Sequence, residues 1–395
     1  MINDNDESTL IVEVCTIDKI VPAKGFDRLE FAIVKGWQCL VGKGLYTSGD
    51  LCIFIPPDAI IPPQLEERVF SNAKIKLKNG RIEPIKLKGL YSQGLVVPIS
   101  YLEETGVTNT FIGMDVKDIL GIVKYEPKVK EKPKGLDVKT STSGKWFLRS
   151  NFIEYPKIHH FQNFPFSFSE GEVVHISEKI HGTSFRCGYI TRKPKGFIQN
   201  LKKLLAKHFK MCKKLWDDKE FVYGSRKVDL SDIPFEKIKE TAFYKENVYG
   251  KTVKQYNLKA VCEMLSRQCR DADVLIFGEI YGPSIQKGYH YGLDNDEIAF
   301  RVYDIMLNNM WVEPSCLDCF LPSKIETVPQ IAIKPFNEDE VTEYLLGLKS
   351  FCTKQKVPEG IVIRPNEECE KSENRRVFKV IHPEYLLRKD RTEFS

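Results

Sequence analysis

Glu178-Lys179-Ile180-His181-Gly182-Thr183 comes after the apolar run Val173-Val174-His175-Ile176. The run reads as a strand. At its end a charged pair is followed closely by a glycine, the residue that lets backbone pass close to another group. Taken singly, Lys179 is an ordinary surface lysine. It gains meaning from elements further along the chain.

Five such elements come in order: Gly224-Ser225-Arg226-Lys227; Phe277-Gly278-Glu279-Ile280-Tyr281-Gly282 after a β-prone run; Phe300-Arg301-Val302-Tyr303-Asp304-Ile305; Pro358-Glu359-Gly360-Ile361-Val362-Ile363-Arg364; and Phe378-Lys379-Val380-Ile381. Each has a plain reading. Glu279 could simply leave its sheet into solvent, since an unpaired buried carboxylate is costly. Glu359-Gly360 could be a turn, Lys379 a solvated strand residue and Tyr303 a core aromatic.

Together, the six elements resemble the covalent nucleotidyltransferases, the polynucleotide ligases and mRNA capping enzymes, in order and spacing. Within that superfamily the chain is most similar to ATP-dependent RNA ligases with an N-terminal OB domain. Arg81-Ile82-Glu83-Pro84-Ile85-Lys86-Leu87-Lys88-Gly89 with Ser92-Gln93-Gly94-Leu95 looks like their barrel signature, and Leu120-Gly121-Ile122-Val123-Lys124-Tyr125-Glu126-Pro127 like the barrel exit. Gly282-Pro283-Ser284-Ile285-Gln286-Lys287 also looks like RNA-ligase sequence.

The fold implied is α+β: an N-terminal OB-fold β-barrel, then a nucleotidyltransferase domain of antiparallel sheets and helices. The domains expected are 1–125 for the RNA-binding barrel, 126–145 for a linker and 146–395 for the adenylation domain. The residues agree with this division. Leu10–Ile17, Leu29–Val34, Trp37–Val41 and Leu51–Ile55 are β-prone runs, and Lys35-Gly36 is a two-residue hairpin turn. Ile82–Leu87 and Gly94–Ile99 flank a second turn at Lys88-Gly89. Small barrels of this kind suit an OB-fold. Residues 126–145 combine Pro, Gly, Lys and Ser/Thr with few bulky apolar side chains. Beyond them, Val253–Gln268 is predicted as a helix, and Ala272–Tyr281 and Ala299–Met306 as strands.

The resemblance also assigns roles. Lys179 is the nucleophile that takes AMP from ATP, passes it to an RNA 5′-phosphate, and so prepares that phosphate for attack by a 3′-hydroxyl. Lys379 contacts the α-phosphate. Glu178, Ile180, Gly182, Arg226, Glu279, Tyr303 and Val362 bind the nucleotide, with Tyr303 stacked on adenine. Glu279 and Glu359 hold Mg²⁺ or Mn²⁺, directly or through water. His181 stands where most of the superfamily has an Asp that organises the metal's water shell, and some RNA ligases carry His there; its part in metal hydration is open. The partner implied is a nicked RNA duplex with 3′-OH and 5′-phosphate ends. The chemistry needs these residue types: a free lysine of pKa near 10.4 is neutral in roughly one molecule in two thousand at pH 7, so positive charge must lie close by.

Bulk properties set the background. The net charge of +5 is mild for 395 residues and says nothing about nucleic acid by itself. The segment from Arg192 to Lys214 is strongly basic, with helical spacing of Ile198, Leu201, Leu204, Leu205 and Phe209. It reads either as a solvated amphipathic helix or as one that meets phosphates or a membrane surface. No apolar run approaches the length of a membrane span, so no membrane partner is expected. The acidic N-terminus lacks a secretion signal, and an intracellular monomer is expected. Of 11 cysteines only Cys316 and Cys319 form a C-x-x-C pair, so reduced thiols with no metal role are expected. DNA ligases and capping enzymes usually carry their OB domain after the element equivalent to Phe378–Ile381. Here 16 residues follow Lys379, too few for a barrel. A non-catalytic nucleic-acid-binding protein on the same fold is a further alternative, against which every catalytic position is filled.

Overall fold

The computed structural model describes residues 10–71, 76–107, 109–126, 147–164, 167–194, 196–208, 218–232, 244, 246–367, 375–389 and 391. Two three-stranded antiparallel sheets build the N-terminal unit. One orders Glu13–Thr16, Leu51–Ile55 and Leu95–Pro98; the other orders Lys19–Pro22, Leu29–Val34 and Trp37–Gly42. Lys35 and Gly36, at φ +51° and +74°, make the hairpin turn between the last two strands, as its sequence predicts. Lys88-Gly89 is also a tight turn, but it joins Ile85–Leu87 to Leu90–Ser92. Leu95–Pro98 pairs instead with Leu51–Ile55. The sequence expectation skipped the short strand between, because three residues are too few to show an alternation.

The larger unit contains two sheets. A five-stranded sheet runs His159–His160, Phe378–Ile381, Gly360–Pro365, Val173–Lys179, Gln330–Pro335. A six-stranded sheet runs Lys219–Ser225, Thr183–Thr191, Val274–Tyr281, Ala299–Leu307, Met310–Trp311, with Glu326–Thr327 beside Ala299–Leu307. Ile180, His181 and Gly182 are the link that carries the chain from the first sheet to the second. The outer face of the second sheet is covered by helices Val248–Gln255 and Leu258–Gln268, whose Val253, Leu258, Val261, Cys262 and Leu265 pack on Phe185, Ile276 and Val302. The sequence predicts a single helix over Val253–Gln268. The chain breaks it at Asn257, which takes a left-handed conformation (φ +49°), one that asparagine tolerates better than most residues.

A single apolar core bridges the two units. Val34, Trp37, Phe54 and Val96 pack with Ile180, Tyr281, Tyr289, Tyr291 and Tyr385. Polar contacts reinforce the junction: Lys86 Nζ and Tyr91 Oη both donate to Glu384 Oε1, at 2.8 and 2.7 Å. The predicted linker, Glu126 apart, lies outside the described residues, as does the end of the basic 192–214 segment.

Candidate active site

A cavity of about 220 Å³ opens between the two sheets of the larger unit. Strand register explains its lining. Ser177, Val362 and Lys379 are cross-strand neighbours on three adjacent strands, and all three line it. Lys179 pairs with Gly360 at the end of its strand, which sets it beside Glu359. The facing wall comes from the second sheet, where Ser184 is opposite Glu279.

Tyr303 reaches the cavity through a β-bulge. Gly278 pairs with Val302 and Phe277 with Asp304, so Tyr303 is the extra residue between them. A bulge breaks the in–out alternation and re-aims a side chain. Tyr303 lines the cavity while Asp304 next to it is fully buried. The Tyr303 ring is fixed by a hydroxyl contact with Ser184 Oγ (3.0 Å) and an edge-on contact with Tyr155 (4.8 Å between centroids). Burial, and then the Glu279 carboxylate, push its phenol well up.

At the floor, Lys179 Nζ donates to Glu359 Oε1 at 2.7 Å. Glu359 is 1% exposed, and its Oε2 is 3.4 Å from His181 Nδ1 with no hydrogen-bond partner among the described residues. The His181 ring is held edge-on by Tyr289 and Tyr385 at 4.5 and 5.2 Å, and its backbone N–H donates to Tyr291 Oη (2.8 Å). Glu178 Oε2 accepts from the Phe351 N–H (2.8 Å), while Oε1 is buried without a partner. Burial raises the Glu178 carboxyl against the lowering effect of that bond.

Two cations of the lining, Lys379 and Arg226, also act on a histidine outside it. Burial, then Lys157, Lys379 and Arg226, lower the His159 imidazole. Burial and then Lys157 lower the Lys124 ammonium, which extends this field to the barrel's exit strand Val123–Lys124.

Of the residues predicted from sequence, Glu178, Lys179, Ile180, Arg226, Glu279, Tyr303, Val362 and Lys379 line this one cavity. Glu359 lies behind Lys179, and His181 behind Glu359. Gly182 is not in the lining. A Cβ there would come 2.2 Å from the Ile280 carbonyl oxygen and 2.9 Å from Glu279 Cγ. The close approach that glycine permits here is therefore to the Glu279 strand, and it brings Lys179 and Glu279 to one place.

Sequence reading gave no role to Tyr155, Arg364 or Ser184, which also line the cavity. Tyr155 and Arg364 belong to a buried ionic cluster around Asp304. Asp304 accepts from Tyr155 Oη (2.6 Å), Arg364 (2.9 Å) and Arg375 (2.6 Å). Burial alone would raise the Asp304 carboxyl, but the Arg375 and Arg364 guanidiniums together with the hydrogen bonds outweigh it and hold it low. An aspartate inside the apolar half of the strand Ala299–Leu307 was the available signal, since a buried charge needs partners.

Residues 172–381 match the RNA ligase family, more than half of the chain. The chain belongs to the RNA ligase family. Residues 11–99 match an OB-fold domain. No curated protein sequence matches the ligase. Solved structures of similar fold include a lysine-to-alanine variant of Naegleria gruberi RNA ligase with ATP and Mn. It covers 96% of this chain and 100% of its own at 20% identity, with a TM-score of 0.62. A lysine-to-methionine variant of that enzyme with AMP and Mn gives the same score and identity over 96% of this chain and 99% of its own. The same enzyme with pyrophosphate gives 0.59 at 19% identity, over 96% and 98%. The ligase therefore has the α+β architecture its sequence implies, with an OB-fold domain ahead of a nucleotidyltransferase fold.

Proposed function

We propose that the ligase joins 3′-OH and 5′-phosphate ends at nicks in duplex RNA, using ATP and a lysyl-AMP intermediate on Lys179. The observation that carries this is the Lys179–Glu359 contact at the floor of a cavity that also gathers Glu178, Glu279, Tyr303, Arg226 and Lys379. The similar Naegleria structures with ATP, AMP and pyrophosphate support the choice of nucleotide.

Lys179 Nζ attacks the α-phosphorus of ATP, forming an N–P bond as the bond to pyrophosphate breaks. The AMP then passes to the 5′-phosphate of RNA, freeing the lysine. Finally the 3′-hydroxyl attacks that phosphate and AMP leaves. Glu359 at 2.7 Å stabilises the ammonium form, which cannot attack. The contact therefore orients the amine at rest and must be loosened for chemistry. Lys379 and Arg226 bring positive charge to the same cavity, which favours the neutral amine and the developing phosphate charge. Tyr303 offers its ring to adenine, and the orphan Glu178 Oε1 can accept from an exocyclic amine.

The donor set fits a hard divalent cation. Glu279 faces the cavity and Glu359 Oε2 is buried without a hydrogen bond. Among the described residues no cluster of three or more His, Cys, Asp or Glu side chains forms a cage. Two carboxylates suit Mg²⁺ or Mn²⁺ that retains most of its waters. Such a cation, when bound, neutralises charge on the transferring phosphate. In this reading residues 1–125 bind RNA, 126–145 link and 146–395 carry the chemistry.

Incubation with α-labelled ATP and a divalent cation tests the proposal. An acid-labile protein–AMP adduct is expected, absent in Lys179→Met and crippled in Glu279→Ala and Glu359→Ala. An adduct that survives Lys179→Met overturns the nucleophile. Sealing of nicks with ribose but not deoxyribose at the 3′-OH side tests the RNA assignment.

A further inference from the structure

The active site makes no use of the basic segment after Thr191. Its helix, Phe197–His208, lies in the connection between strands Thr183–Thr191 and Lys219–Ser225. Thr191 pairs with Lys219 at the end of the sheet away from Ser184. Seven residues of strand separate that end from the cavity wall, about 23 Å at the usual rise.

Phe197, Leu201 and Leu204 are spaced i, i+4, i+7 and form one stripe. They are 81%, 43% and 53% exposed. A helix in the body of a protein turns such a stripe inward; this one turns it out. Lys202 and Lys203 stand off the stripe, and from Arg192 to Lys214 the chain has nine lysines and arginines and no acid.

We propose that this helix docks the ligase on an anionic lipid surface, with the Phe197–Leu201–Leu204 stripe in the acyl boundary and the lysines among the headgroups. RNA would satisfy the lysines but offers nothing to the leucines. A bilayer surface offers both anionic charge and apolar depth. Twelve residues span about 18 Å, well short of the hydrocarbon core, so the helix lies along the surface. The expectation of no membrane partner rested on the lack of a spanning segment, which a surface helix does not need. Docking at the far end of the sheet leaves the cavity open.

Flotation of the full chain with phosphatidylcholine vesicles, with and without phosphatidylserine, tests the proposal. The chain should float with the anionic vesicles, and binding should weaken as salt rises. Leu201→Asp/Leu204→Asp and Lys202→Glu/Lys203→Glu should each bind at least roughly tenfold more weakly. Thermal unfolding by circular dichroism checks that both remain folded, independently of ligation. The proposal is overturned if the wild type ignores anionic vesicles or if Leu201→Asp/Leu204→Asp floats as well as the wild type. It is also overturned if these variants lose nicked-RNA affinity while still floating, which would make this an RNA-binding face.

Discussion

Asp304→Ala tests whether the buried ionic cluster behind Tyr155 and Arg364 secures the wall of the candidate cavity. Asp304 is fully buried, and its two main partners, Arg364 and Arg375, are 3% and 2% exposed in their side chains. Removing the carboxylate strands two guanidiniums away from water and takes the acceptor from the Tyr155 hydroxyl. Loss of one member of a buried ion pair costs about 3–5 kcal/mol, and two stranded cations place this variant at the upper end, about 5 kcal/mol. That is a large share of the roughly 5–15 kcal/mol that holds an ordinary domain folded. Asp304→Asn keeps an acceptor and should cost less, about 2–3 kcal/mol. Urea denaturation followed by tryptophan fluorescence measures both, since the Arg375 guanidinium lies 3.8 Å over the Trp311 ring, which also meets Tyr155 edge-on. Arg375→Met should be costly alone and nearly free in the Asp304→Ala background, because the partner is already gone. Since Tyr155 and Arg364 line the cavity, nucleotide affinity should fall with stability. A cost below about 1 kcal/mol for Asp304→Ala, or simple additivity with Arg375→Met, would refute the reasoning.

Gly182→Ala should drive its new methyl into the Ile280 carbonyl, at 2.2 Å, costing roughly 1–3 kcal/mol and most of the adduct; denaturation and α-labelled ATP transfer read the two effects. His175 is buried, and burial followed by the Arg364 charge lowers its imidazole from 6.5 to about 4. Between those values the unfolded chain takes up a proton that the folded chain refuses. Its stability is therefore complete above pH 6.5 and falls by roughly 3 kcal/mol as pH drops toward 4. His175→Gln should flatten that dependence in urea midpoints taken at pH 7 and pH 5. Cys316→Ser should leave adduct formation unchanged and stability within about 0.5 kcal/mol in the same two assays.

The candidate site was legible where chemistry-bearing residues sit at the ends of apolar runs. Lys179, Glu279, Glu359 and Lys379 each adjoin a strand that its own sequence announces, and strand ends in facing sheets converge. The residues behind them were not legible. Asp304 meets Tyr155 from 149 positions away and Arg364 from 60, and no local pattern encodes such partners. The Tyr303 bulge escaped for a similar reason: Phe300–Ile305 reads as a regular alternation until the register against Phe277 and Gly278 is known. In the barrel, Leu90–Ser92 was too short to register as a strand, and the wrong partner was inferred for the turn before it.

The core shared by Trp37, Phe54, Tyr281, Tyr289 and Tyr385 has a consequence for how this enzyme can be altered. The barrel is not a detachable module. Excising it would lay a row of tyrosines bare to water, and grafting a foreign one would require matching that aromatic seam ring by ring. His181 touches Tyr289 and Tyr385 on one side and Glu359 on the other. A cavity cut at Trp37 should therefore reach the amine at position 179 by way of that seam, His181 and Glu359, so changes made in the barrel and changes made around Lys179 cannot be optimised apart.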